Sequence, residues 1–401
     1  MSPLRIALVH SFYASGAPSG ENEAVRDQER ALRAAGHEVA LIAARTDELQ
    51  GGVYPLRAAA RVATGRGASP ARELAAFAPD VVHVHNLFPN YGRSWVRGWT
   101  GPLVATLHNY RPLCAAGTLY RDGATCTRCP DGDRWAGLRE GCYRDSRAAT
   151  LPLAWAGRGG AAGDPLLARA DALVVLSELS RRTYEKAGVP GDRLTLVPNF
   201  VADAPPVNST TGKGRWVYVG RLGAEKGILE LLRAWPEGEP LDVVGDGDLA
   251  ADCRRAAPSC VRFFGALDRA VLRRSLPSWR GLVFPSRCLE NAPLVYAEAL
   301  AAGLPVLAFA GSSVAEAVRA EGTGAVTGWN DPLRPVLRHA DTRFPALRAH
   351  CAGVFAERYG QQVWTARMGR TYEAALRART GTGRTGAEKS TSSEGAAACA
   401  V

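Results

Sequence analysis

The chain reads as an α/β protein made of two doubly wound units, and three observations predict it. Short apolar runs alternate with amphipathic stretches along nearly the whole length. Each run is apolar on both sides of the strand alternation, as in a parallel sheet covered by helices on both faces. The alternation stops once, in a Pro-, Ser-, Thr- and Gly-rich stretch at 198–214, and then restarts. Two Rossmann-like domains with parallel sheets, facing each other across a deep cleft, are therefore expected. A length of 401 residues allows two full cores.

In the first domain, residues 1–200, strands are expected at 4–9, 38–43, 80–84, 103–107, 172–176 and 194–197. A helix over 21–35 should stop at Gly36, a C′ glycine. Ser69-Pro70 supplies an N-cap and a proline at the first helical position. The loop from 11 to 20 is long, which suits a mobile element beside a cleft. Residues 111–145 form a Gly-, Asp- and Arg-rich insertion with four cysteines. In the second domain, residues 215–355, strands are expected at 216–219, 241–244, 261–264, 282–284 and 306–309. A last amphipathic helix over 361–377 carries Val363, Trp364, Met368, Tyr372 and Leu376. From 379 to 401 the chain is Gly-, Thr- and Ser-rich with too little apolar content to fold, and disorder is expected.

The most informative segment is Gly220-Arg221-Leu222-Gly223-Ala224-Glu225-Lys226-Gly227. It follows an apolar run and precedes an amphipathic stretch, so it frames a strand, a tight turn and a helix start. Such a frame aims backbone N–H groups at an anion. Arg221 and Lys226 add two cations, which makes a diphosphate clamp. Some seventy residues on come Glu290-Asn291-Ala292-Pro293-Leu294 and then Glu298. On a helix the two carboxylates lie a little over two turns apart and can reach one ligand. A phosphate clamp beside carboxylates that grip hydroxyls points to a nucleotide-sugar site.

These ordered motifs resemble the donor half of the family-4 retaining glycosyltransferases, and the resemblance is strongest over 216–310. It implies the GT-B fold, with residues 356–378 crossing back onto the first domain. It also implies a role for each motif. Arg221 and Lys226 bind the donor diphosphate and stabilise the leaving group, and Glu290 lies near the transferred sugar. Glu298 binds the ribose, and the segment of Ala292, Pro293, Leu294 and Val295 turns its backbone toward phosphate or sugar. Gly245 and Gly265 border the nucleotide, Gly20 closes on the phosphates from the opposite lobe, and His108 is the active-site histidine. Asn291-Ala292 replaces the family's usual Gly and aromatic residue, which alters the sugar pocket. The resemblance implies that Arg221, Lys226 and helix dipoles replace a divalent ion, so no cofactor is expected for catalysis. No base-like carboxylate is identifiable in the acceptor lobe, so a front-face mechanism is expected, with the leaving phosphate taking the acceptor proton.

Cys114, Cys126, Cys129 and Cys142 fall within the insertion, and Cys126-x2-Cys129 is a zinc half-site. A structural zinc on four thiolates is expected, with free thiols the alternative. His83 and His85 share one strand face and suit packing or acceptor contact better than a metal. The formal charge of +10 could favour anionic lipid or a phosphate-bearing acceptor, and no nucleic-acid motif with interleaved aromatics appears. No run of eighteen apolar residues and no signal segment is found, so a cytoplasmic protein is expected, with contact to the inner membrane face compatible with its charge. The expected activity is transfer of a sugar from a nucleotide-diphosphate donor, UDP-linked by family habit, to an acceptor hydroxyl. A glycan, a lipid-linked unit or a small natural product all fit as acceptor. Two alternatives share the fold: a phosphorylase or epimerase, and a non-catalytic nucleotide-sugar-binding protein.

Overall fold

The computed structural model describes residues 2–15, 19–49, 51–202 and 214–388, with 380–388 described by backbone alone. The first lobe holds strands β1 (Arg5–Phe12), β2 (Glu38–Arg45), β3 (Val81–Asn86) and β4 (Leu103–Thr106). A small hairpin follows, β5 (Tyr120–Arg121) and β6 (Ala124–Thr125), then β7 (Ala172–Val175) and β8 (Leu194–Leu196). The second lobe holds β9 (Trp216–Val219), β10 (Leu241–Val244), β11 (Val261–Gly265), β12 (Leu282–Phe284), β13 (Val306–Phe309) and β14 (Gly324–Thr327). The two large sheets run β2-β1-β3-β4-β7-β8 and β11-β10-β9-β12-β13-β14. Every pairing in them is parallel.

The strand alternation explains the two-sided burial. Ala7 and Val9 enter one core with Val82, Val84, Leu103 and Leu173. Ile6 and Leu8 point the other way, into a second core with Val81, Val104 and Val174. That second core is finished from far along the chain. Trp364, Met368, Tyr372 and Ala375 lie at helical spacing on the helix Gln361–Glu388 and are buried against it. Each large side chain buried there contributes roughly 1.5–3 kcal/mol. The last helix therefore belongs to the first lobe.

Two crossings join the lobes, and they lie side by side. Val201 N donates to Tyr359 O at 3.0 Å, and Val201 bridges Gly360 in parallel. Phe200 stacks on Trp364 with ring centroids 4.7 Å apart. The Pro-, Ser-, Thr- and Gly-rich stretch between the two units thus begins as packed structure over 198–202, and 203–213 lies outside the described residues. The disorder expected from 379 is corrected over 379–388, which is helical. Once the docked turns nucleate the helix, each further residue adds a hydrogen bond. Residues 389–401 lie outside the described residues. Strand β14, the β5–β6 hairpin and the helix Leu333–Arg358 were not foreseen. Among the described residues no helix is long and apolar enough to cross a membrane.

Candidate functional site

In an open parallel sheet, ligands bind beyond the carboxyl ends of the strands, where the strand order reverses. In the second sheet that point lies between β9 and β12. The segment after β9 is the Gly220–Gly227 turn, and the segment after β12 carries Ser286 to Pro293. Both face the first lobe across an open cleft of about 1410 Å³. Gly20, His108, Arg221, Lys226, Glu290, Asn291, Ala292, Pro293, Leu294 and Val295 all line it. The structure thus gathers ten of the residues singled out in the sequence into one cavity.

The turn depends on backbone that only glycine adopts without strain. Gly227 has φ +67°, and a Cβ there would sit 2.1 Å from Pro285 O. Gly245 has φ +134°, and its Cβ would lie 1.9 Å from Gly220 O. Gly245 follows β10 and Gly265 ends β11, and Gly245 N donates to Gly265 O at 2.7 Å. They support the turn from behind and are not among the cleft-lining residues.

Both cations of the clamp are held by carboxylates. Lys226 Nζ pairs with Glu290 Oε1 at 2.9 Å. Burial opposes the lysine's charge, yet Glu290 beside it holds its pKa above the usual lysine value. Arg221, about half exposed, pairs with Glu225. An anion entering here would replace carboxylates as the partner of both. Cys288 lies in the same wall, and burial together with Glu290 pushes its thiol up to about 12, so it stays protonated.

Glu298 is placed differently from the ribose-facing position expected. It is buried, outside the cleft lining, and Oε1 accepts from Arg269 Nε at 2.8 Å and Arg273 Nε at 3.2 Å. Arg269 Nη1 also donates to Asp27 Oδ2 at 2.8 Å, on the helix Gly20–Ala34 of the other lobe. The carboxylate is thus one end of an ion bridge between the lobes.

On the first-lobe side, Gly20 begins that helix, and a Cβ on it would lie 3.9 Å from Leu294. Asn291 Nδ2 donates to Leu107 O at 2.8 Å, a second tie across the cleft. His108 follows β4, and its Nε2 lies 2.9 Å from His85 Nδ1. His83 lies between Tyr372 Oη at 2.9 Å and Thr106 Oγ1 at 2.8 Å, so its role is packing. Burial pushes His10 down to about 4 and His83 and His108 to about 3, with neighbouring histidines adding to the effect on His108. His108 is therefore neutral near pH 7 and serves as a hydrogen-bonding group.

Sequence reasoning missed Glu21. It is a carboxylate of the acceptor lobe, it lines the cleft, and Oε2 accepts from Asn109 Nδ2 at 3.2 Å. This removes the premise that no such carboxylate is present. Asn199, Glu225 and Cys288 also line the cleft unforeseen. Position in the segment that follows a strand was the available signal for Asn199, Glu225 and Cys288.

The four insertion cysteines are reduced and line one pocket of about 370 Å³. Burial pushes the Cys129 and Cys142 thiols up, and Arg121 Nη1 donates to Cys142 Sγ at 3.5 Å. Among the described residues no set of three or more His, Cys, Asp or Glu side chains is arranged to hold a metal ion as it stands.

Comparison with known proteins adds family evidence to this geometry. The model described as Glycosyltransferase Family 4 matches residues 18–204, and that described as Glycosyl transferases group 1 matches residues 213–336. An exopolysaccharide phosphotransferase of Streptomyces coelicolor is 32% identical over 168 residues, 37% of this chain and 17% of that protein. A glycogen synthase of Mycobacterium tuberculosis is 27% identical over 286 residues, 65% of this chain and 60% of that protein. The chain thus spans under two thirds of either relative. The structure of HepE from Anabaena, in complex with UDP and glucose, superposes with a TM-score of 0.57 at 16% identity. That match covers 92% of this chain and 100% of HepE.

Proposed function

The chain belongs to the family-4 glycosyltransferases and has their GT-B architecture, and from that premise we propose that it transfers a sugar from a UDP-linked donor to an acceptor hydroxyl with retention of configuration. The observation that carries this reading is the cleft itself. Arg221 and Lys226 stand on the wall after β9, Glu290 on the wall after β12, and His108 opposite them on the first lobe. A diphosphate in this cleft meets two cations and the backbone of residues 292–295. As the bond from the anomeric carbon to the diphosphate breaks, negative charge grows on the leaving oxygen. Fixed cations already in place lower that barrier without reorganising. Lys226, released from Glu290 by the phosphate, takes this role, and Glu290 is then free to hold a sugar hydroxyl. His108, neutral and oriented by His85, hydrogen-bonds the transferred sugar. Solved relatives that bind UDP and glucose support UDP as the nucleotide.

For retention, the acceptor hydroxyl approaches the face that the diphosphate leaves. The ribose role of Glu298 belongs to the same reading and requires the Arg269 and Arg273 pairs to rearrange around the nucleotide. No step uses a metal. A nucleotide-sugar panel tests the reading: release of UDP, and transfer to a glycoside panel, are followed with each donor. A wild-type protein that binds UDP and turns over no nucleotide sugar would overturn it in favour of a binding protein.

A further inference from the structure

Among the described residues the acceptor lobe contributes one carboxylate to the cleft, and nothing in the donor reading uses it. Glu21 lies in the first turn of the helix Gly20–Ala34. Asn109 engages Oε2, while Oε1 is buried with no hydrogen-bond partner among the described residues. A buried carboxylate oxygen without a donor is rare in a folded protein unless a ligand supplies one.

Its position says which ligand. A second open groove, about 2060 Å³, runs through the first lobe, and Tyr13, Tyr54, Phe88, Arg111 and Tyr143 are among its walls. Arg221 lines both this groove and the donor cleft, so the two cavities meet there. Tyr13 and Arg111, the charged or titratable neighbours of Glu21, stand on the groove side, while Glu21 itself lines the cleft. Glu21 therefore sits at the mouth through which a molecule in the groove reaches a bound donor.

We propose that Glu21 is a catalytic residue that takes the proton of the acceptor hydroxyl at this mouth. This rests on the glycosyl-transfer reading above. A lone pair of the acceptor oxygen forms the new bond to the anomeric carbon. The bond from that carbon to the diphosphate oxygen breaks, and its electron pair leaves with the diphosphate. The hydroxyl proton passes to Glu21 Oε1, so no other reactant is needed.

The protonation chemistry agrees with the geometry. Burial pushes the Glu21 carboxyl up to about 7, against the hydrogen bond from Asn109 and the charge of Arg111. The groups around it come from every neighbouring element: Tyr13 after β1, Asn86 at the end of β3, and His108, Asn109 and Arg111 after β4. Arg221 faces them across the cleft. A base whose pKa lies near the working pH combines availability with proton affinity. His108, held at about 3, lacks that affinity.

The test uses UDP-glucose as donor and water as acceptor, heading a panel of nucleotide sugars. UDP release is measured from about pH 5.5 to about pH 9 for wild type, Glu21→Gln and Glu21→Asp, with UDP affinity measured by calorimetry. Wild-type turnover is expected to rise with pH to a plateau with a midpoint about 7. Glu21→Gln should be about 10²–10⁴-fold slower, without that midpoint, and should bind UDP within about twofold of wild type. Glu21→Asp, which keeps a carboxylate, should lose less and retain the midpoint. Turnover of Glu21→Gln within about threefold of wild type overturns the proposal and gives the proton to the leaving phosphate. A loss of UDP affinity as large as the loss of turnover also overturns it, because Glu21 would then support the donor site. A wild type inactive with the whole panel overturns the transfer reading itself, whereas an active wild type with an equally active Glu21→Gln overturns this proposal alone.

Discussion

At the scale of single residues, the two cations of the clamp differ in how they are held, and this separates their mutants. Arg221 is about half exposed and pairs with Glu225. Arg221→Ala should lower turnover about a hundredfold, the ~3 kcal/mol lost with one transition-state charge partner, while melting temperature barely moves. Lys226 is the partner of an almost buried Glu290. Lys226→Ala should lose at least as much turnover and also cost ~3 kcal/mol or more of stability, read by urea unfolding, because Glu290 is left unpaired. The buried histidines give a second prediction. His10, His83 and His85 are held well below the ordinary value by burial. The unfolded chain takes up these protons near pH 6.5 and the folded chain does not. Stability from these three is therefore full above about 6.5 and is lost as pH drops below it, which unfolding at stepped pH would read. The clamp was legible in the sequence because its parts are contiguous and each favours phosphate by its own chemistry. Glu21 was not, because Tyr13, Asn86, Asn109 and Arg111 come from three separate segments and only the fold makes them its neighbours.

At the scale of elements, the buried parallel strands were legible because each is a short apolar run with turns on either side. β14, Gly-Ala-Val-Thr, is a half-buried edge strand and too short to announce itself. The helix Leu333–Arg358 hides its apolar face at Leu333, Leu337, Ala340, Phe344 and Cys351, because Pro345 inside it reads as a break. The helix Gln361–Glu388 was legible by period as far as 377, and its docking is the element on which the first lobe depends. Met368→Ala, fully buried in that interface, should cost about 2–5 kcal/mol by urea unfolding. For the insertion we propose one structural zinc on Cys114, Cys126, Cys129 and Cys142, which requires the four thiols around their shared pocket to deprotonate and draw in. Elemental analysis of protein purified without chelator should find about one zinc per chain. Four native thiols that react freely, with no metal, would end that reading and leave the donor site unaffected.

At the scale of the whole molecule, the lobes are tied by the paired crossings near Val201 and Gly360, by Asn291 to Leu107, and by the Asp27–Arg269–Glu298 bridge. The crossings lie side by side, and Arg273, which pairs with Glu298, also donates to Ala202 O at 3.2 Å, so the bridge continues from them toward Asp27. Asp27→Asn should leave each lobe intact but let the cleft open, increasing the radius of gyration in solution scattering without nucleotide. An unchanged radius would mean that the other ties hold the lobes by themselves. Two lobes facing across a cleft were predictable from the restart of the strand pattern; which side chains bridge them was not, since the partners lie far apart in sequence. The return of the helix Gln361–Glu388 also has a consequence for how the protein is made. The second lobe is contiguous and can close as soon as its own residues leave the ribosome. The first lobe is synthesised earlier yet waits, with Ile6, Leu8, Val104 and Val174 lacking their cover, until Trp364, Met368 and Tyr372 emerge. The usual N-to-C order of domain folding is reversed. A nascent chain stalled short of this helix is expected to expose its first lobe to proteases and chaperones while its second lobe is already resistant.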